Sequence, residues 1–272
     1  MRTGKQTSQS GASDIGGFLS VAGSLPGSVF VLPHYDSGAG KDTNIIITNS
    51  GISSARVHLF FIATTGLLSQ NTYVTVAAGA TERVNASAID SGNKGFVLGV
   101  TSDLAGNYIS YNFITASGRY YDATYDGTFP AFSFKALVSE TVGTPIIRFN
   151  GLVLEPQPYS VGFLNVRSDS FVAFAKLSGT LATGLDLITS LTVKTQSDSG
   201  ENSVFSNPRA CHVSGVLSTL FSSITNLTTS PTGRFFVNCS FGMIINKPEA
   251  LSTITPIVLD DGGRVSATVT IP

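Results

Sequence analysis

Between Asp42 and Ile89 the chain runs through TNIIITNSG, SARVHLFFI and TYVTVAAGATERVNASAI. Three strand-like runs of β-branched and aromatic residues are separated by turn-forming Asn-Ser-Gly and Thr-Thr-Gly steps, and none carries a reactive constellation. Strands of this kind must bury a face against a second layer. The pattern therefore predicts an all-β fold: one or more antiparallel β-sandwiches, immunoglobulin-like or jelly-roll-like.

The same texture continues on both sides. Strands are expected near 29–35, 43–49, 55–63, 72–77, 80–87, 95–102, 107–116 and 130–137, with turns at SGAG, NSG, TTG, AAG, SGNKG, LAGN and SGR. Further strands are expected near 145–154, 160–166, 171–177, 187–195, 209–217, 234–245 and 264–271, with polar loops at QSDSGENSVFSNPR and SSITNLTTSPTGR. GTLATGLDLITSL reads as a strand or one short helix. The organisation expected is an N-terminal arm (1–28), a β-sandwich (29–143) and a second β-rich body (144–272), with the Pro156/Pro158 pair as a joint. The arm is Gly/Ser-rich around an apolar island formed by Ile15, Phe18, Leu19 and Val21. Such a segment is suited to lie along a sheet edge of the same or a neighbouring chain.

Composition narrows the function classes. Only 12% of the 272 residues are charged, against an ordinary share of about 25%. Lys and Arg are scattered singly and the net charge is −1, so no basic stripe is present for nucleic acid. No window approaches the ~18 apolar residues of a membrane-spanning helix. The N-terminal segment, with Arg2 and Lys5 but a short glycine-broken apolar part, is a poor signal peptide.

FVLPHYDSGAGKDTNIIITNSG, ARVHLFFIATTG and YVTVAAGATERVNASAI together resemble the immunoglobulin-like β-sandwich modules of uncharacterised bacterial secreted and surface proteins. GFVLGVTSDLAGNYISYNFI is similar to a strand–turn–strand element of such proteins. The resemblance implies a sandwich fold and an extracellular or cell-surface location, and it brings no catalytic residue with it.

Candidate sites are few. Cys211 and Cys239, the only cysteines, are expected either as a disulfide tying two strands or as two buried thiols. His212 would point away from Cys211 if both lie in one strand, which argues against a metal site. His34 and Asp36 would share a strand face, but one His and one Asp fall short of a metal-ligand set, so LPHYDSG reads as a strand end. His58 alternates with Arg56 and reads as solvent-facing. Asp260 and Asp261, with Asp36 or Asp126, and separately Asp198, Glu201 and Asn202, are weak calcium candidates better read as a turn and a loop. Sequons occur at Asn85, Asn226 and Asn238. The aromatic cluster Tyr108, Tyr111, Phe113, Tyr120, Tyr121 and Tyr125 reads as sandwich core with a covered rim, or as a subunit interface. A sugar-binding face would favour Trp, and the chain has none.

No acid/base or nucleophile constellation appears, so no catalytic residue, cofactor or metal is expected. The expected function is a non-enzymatic extracellular structural protein whose partners are copies of itself, assembled into a filament, sheath or surface layer through the arm. The alternatives are an adhesin or carbohydrate-binding module, contacting glycans or other surface proteins, and a viral or phage particle protein.

Overall fold

The computed structural model describes residues 26–137, 147–149, 152–156, 163–164, 169–177, 179–181, 183–189, 191–197, 200–206, 208–221, 232–237, 241–245, 254–257 and 268–270. The first strands are β1 (Val29–Asp36), β2 (Asp42–Asn49), β3 (Ala55–Ala63), β4 (Leu68–Val76) and β5 (Thr81–Asn85). A single helical turn, α1 (Ala86–Ile89), leads to β6 (Lys94–Ser102), β7 (Ile114–Tyr121), β8 (Asp126–Pro130) and β9 (Phe132–Leu137). There follow β10 (Ile147–Phe149), β11 (Leu152–Pro156), β12 (Phe163–Leu164), β13 (Phe171–Ala175), β14 (Gly179–Thr180), β15 (Gly184–Leu185), β16 (Leu191–Ser197), β17 (Gly200–Ser206) and β18 (His212–Val216). After the turn α2 (Leu217–Leu220) come β19 (Thr232–Val237), β20 (Phe241–Ile245), β21 (Ile254–Ile257) and β22 (Thr268–Thr270).

Two sheets make the sandwich. One has ten strands in the order β15-β14-β22-β10-β11-β9-β1-β6-β3-β4, and the sheet facing its β9–β4 half runs β5-β2-β7-β8. Pairing is antiparallel except for the two short ladders that β22 makes with β10 and β14. Two further four-stranded sheets run β12-β19-β16-β17 and β18-β13-β20-β21. The all-β antiparallel expectation holds. Strands from before and after residue 143 share the ten-stranded sheet.

The burial pattern explains which runs alternate and which do not. In β2 and β7 one face is buried and the other half-exposed, as period-two strands over a core should be. β1, β3 and β6 are buried almost throughout, and their sequences (VFVL, HLFFI, GFVLGV) are continuous apolar runs, as strands covered on both faces require. One face carries Phe30, Leu32, Val57, Leu59, Phe61 and Val97 into the sandwich interior against Ile45, Ile47, Tyr120 and Phe129. The other carries Val29, Val31, Phe60, Ile62, Phe96 and Leu98 against Ala175, Leu177, Leu181, Leu185 and Cys211. Backbone hydrogen bonds fix this second cover: the Cys211 amide donates to the Thr64 carbonyl (2.8 Å) and the Leu185 amide to the Gly66 carbonyl (2.9 Å).

Several expected elements differ. The strand expected over 107–116 begins only at Ile114, because an Asp103–Asn107 turn and the Asn112 side chain, bonded to the Ala136 backbone, hold the segment before it. The Ser117-Gly118-Arg119 step is mid-strand in β7 rather than a turn. Its glycine is required by close approach, since a Cβ there would lie 2.5 Å from the Phe129 ring. The runs 145–154 and 234–245 are each two strands, and Gly200–Ser206, expected as loop, is β17. GTLATGLDLITSL holds the two-residue hairpin β14–β15 instead of a helix or a long strand.

Candidate functional site: a buried histidine pair and an open sheet edge

Pro33 lacks an amide proton, and β1 accommodates it with a bulge. Leu32 pairs with Val97 and Tyr35 with Gly95, so three steps on β1 oppose two on β6. Phe30 and Leu32 face the sandwich interior before the bulge, and Tyr35 does so after it. His34, inside the irregularity, is fully buried and reaches across the chain to His212, the first residue of β18. Its Nδ1 lies 3.2 Å from His212 Nε2, and the two rings stack with centroids 5.3 Å apart and planes at 16°. Tyr120 approaches the His34 ring edge-on at 4.9 Å and Phe171 lies at 5.1 Å. Neither His34 Nε2 nor His212 Nδ1 has a hydrogen-bond partner among the described residues. Burial, then the neighbouring His212, Lys94 and Lys41, hold His34 well below its ordinary range. Burial and Lys94 bring His212 down to about 3, the Pro33 carbonyl opposing weakly. Both rings are neutral near pH 7, each with one N–H, and one of these two protons lies between them.

Asp36 does not join this pair. Its carboxylate accepts from the Gly38 amide and pairs with Lys41 at 3.1 Å, closing the β1–β2 turn. The expected divergence of Cys211 and His212 is observed. The Cys211 thiol, buried and without a disulfide among the described residues, donates to the Lys176 carbonyl (3.1 Å), while His212 turns to His34. Burial pushes the Cys211 thiol up to about 12. Cys239 lies outside the described residues, as do Ile15, Phe18, Leu19 and Val21 of the arm, Asn226, Asn238, Asp198, Asp260 and Asp261. Glu201 and Asn202 stand in β17.

His58 corrects the solvent-facing expectation, being only 7% exposed. Its strand face is the second covered face of the sheet. The ring is stacked on Tyr73 (4.0 Å) and close to Phe60 (3.9 Å), with Nε2 on Asn71 Oδ1 (3.0 Å) and Nδ1 on the Tyr108 hydroxyl (3.2 Å). Burial lowers its proton affinity and pushes the Tyr108 hydroxyl up to about 12.

The tyrosine cluster is dispersed. Tyr120 is fully buried; it stacks on Phe171 and donates to Asp122 Oδ2 (2.6 Å). Burial alone would push the Asp122 carboxyl up, but that hydroxyl and the amides of Tyr125 and Thr124 hold it below its usual range. Tyr125, also buried, donates to the Asp169 carbonyl (2.6 Å). Tyr111 ties down the β2–β3 turn through the Ser53 carbonyl (2.7 Å). Of the five named tyrosines Tyr121, at 36%, is the most exposed. Sequence reasoning missed Tyr73, whose ring is 39% exposed at the sheet margin, with the Arg56 guanidinium 3.7 Å from its centroid and His58 stacked on it. Arg56 and His58 thus both lie against the Tyr73 ring.

The strand carrying Tyr73, β4, ends the ten-stranded sheet. It has nine residues, LSQNTYVTV, with no charge and no proline. Among the described residues nothing pairs with its outer edge. The other sheet margins are shorter or blunted: β5 carries Glu82 and Arg83, β8 carries Asp126 and Pro130, and β15 has two residues.

Among the described residues, no group of three or more His, Cys, Asp or Glu side chains is placed to hold a metal ion, and no helix is long and apolar enough to cross a membrane. Fold and site define an all-β sandwich protein whose described histidines are committed to internal contacts. A protein family described as "Family of unknown function (DUF5719)" matches residues 1–105, which take in β1 to β6. No curated protein and no solved structure matches the chain.

Proposed function

We propose that this chain is a non-enzymatic structural module of the bacterial exterior that assembles with copies of itself by strand addition. The outer edge of β4 is the acceptor, and the arm segment around Ile15, Phe18, Leu19 and Val21 of a neighbouring copy is the donor. The observation that carries this reading is the nine-residue, uncharged, proline-free margin of the sheet. Such an edge presents a row of unpaired amides and carbonyls, and an extended segment laid on it gains main-chain hydrogen bonds. The resemblance of the first sandwich to immunoglobulin-like modules of secreted bacterial proteins supports the location. The low charge supports the burial of broad faces between copies.

The test is electron microscopy and sedimentation velocity on the full chain, on a chain lacking residues 1–24, and on Gln70→Lys/Thr75→Lys. Both positions are exposed on β4, so the lysines leave the fold intact. Wild type should form polymers, and both altered chains should sediment as folded monomers. Polymers of normal length from either altered chain refute the edge-and-arm mechanism. A monomeric wild type refutes the assembly reading itself.

A further inference from the structure

We propose that His34 and His212 form an acid-released latch: stacked neutral imidazoles that hold β18 and its sheet against β1, and that let go when the rings take up protons. The proposal rests on the fold and is independent of the assembly reading.

The geometry admits one proton between the rings. With Nδ1 and Nε2 3.2 Å apart, one nitrogen donates and the other accepts. The first proton taken up would fall on the donor ring's bare outer nitrogen and bury a charge that nothing described there compensates; a second would fall on the acceptor ring's inner nitrogen and set two N–H groups against each other. From β7 comes Tyr120, whose hydroxyl is given to Asp122. From β13 comes Phe171, which cannot ionise. Tyr125, which also packs on Phe171, gives its hydroxyl to a backbone carbonyl. On β1, the Asp36 carboxylate is engaged by Lys41 and the Gly38 amide. The charged groups acting on the rings are Lys94, at the start of β6, and Lys41, both positive. Only the Pro33 carbonyl favours an imidazolium, and only at His212.

The latch is also placed to be released. It joins a bulge in β1 to the first residue of β18, 178 residues further along the chain. His34 Nε2, which has no partner among the described residues, gains water on opening, which favours the open state even before protonation. The direction of the pH effect follows. Each ring's proton affinity is lower in the closed protein than in water, where the imidazole pKa is about 6.5. The open state therefore binds more protons below that pH. The closed state has its full advantage above about pH 6.5 and loses it as the pH falls.

Hydrogen exchange of the full chain between pH 8 and 4.5, corrected for intrinsic chemistry, reads this directly. Peptides covering β13 and β18 should show an opening equilibrium that rises below pH 6.5, by up to about 100-fold per pH unit when two protons are taken up. Peptides from β2 and β7 should not follow. In parallel, ring resonances of His34 and His212 should not titrate in the closed protein between pH 8 and 5. The variant His34→Phe/His212→Phe should lose the pH dependence. A ring titrating near pH 6.5, a pH-independent opening of β18, or an equal rise in β2 and β7 each overturns the proposal in wild type alone, whether or not the variant folds.

Discussion

Asp90 offers the sharpest test of how this sandwich is held together. It follows α1, is 2% exposed, and collects donors from three segments: the Tyr35 hydroxyl from β1 (2.5 Å), the Ser69 hydroxyl from β4 (2.8 Å) and the Asn93 amide (2.7 Å). Its backbone carbonyl accepts from Ser37. One carboxylate thus ties the end of β1, the start of β4 and the turn before β6. Burial and this contact push the Tyr35 hydroxyl far above its ordinary range.

Asp90→Asn keeps the shape and removes the charge and one acceptor oxygen. The Tyr35 bond falls from charge-assisted to neutral, a loss of about 1 kcal/mol, and the Asn93 bond is lost at about 1 kcal/mol more. Ser69 can rotate to accept. A total of about 2 kcal/mol corresponds to a fall in thermal midpoint of roughly 4–8 °C for a chain of this size. Urea titration and calorimetry on wild type, Asp90→Asn, Tyr35→Phe and the double variant measure it, and the cycle should give a coupling of about 1 kcal/mol. If Asp90→Asn lies within 0.5 kcal/mol of wild type, with no coupling to Tyr35, the carboxylate is not the tie described here.

Two further outcomes are expected. Gly99→Ala should destabilise by about 3 kcal/mol in urea titration, because the new Cβ would lie 2.2 Å from the buried Phe30 ring, and Phe30→Leu should restore part of the loss; an unchanged midpoint refutes the packing argument. At pH 8, alkylation of Cys211 in the native protein, read by peptide mass spectrometry, should be slower than in urea by at least about 1,000-fold, as a thiol pushed up to about 12 requires; equal rates refute the buried-thiol assignment.

The strands of the first half were legible because their runs are long and bounded by turn residues: β3 starts and ends where the sequence places it. Two faces of one sheet were not legible. HLFFI announces a buried strand, but the position of His58 in it depends on a cover supplied by Tyr108 and β4, and alternation with Arg56 could not reveal that. The β10–β11 hairpin was legible and overlooked. Asn150-Gly151 between the two strands is a strong two-residue turn signal. The His34–His212 pair left no local signal at all. Its partners lie 178 residues apart, and the bulge that presents His34 is marked in the sequence only by Pro33. The edge character of β4 was likewise hidden, since strand order is a property of the sheet and not of the run.

The second covered face of the ten-stranded sheet has a consequence for biosynthesis. Val29, Val31, Phe60, Ile62, Phe96 and Leu98 belong to strands complete by residue 102, but part of their cover, Cys211 and the chain around it, is made later. At about 5–20 residues per second, the ribosome needs roughly 5–20 s to bridge that interval. For that time a nascent chain with its first strands formed shows a broad apolar surface to the cell. A chaperone that holds nascent chains should be found on this protein before Cys211 emerges and should leave after it.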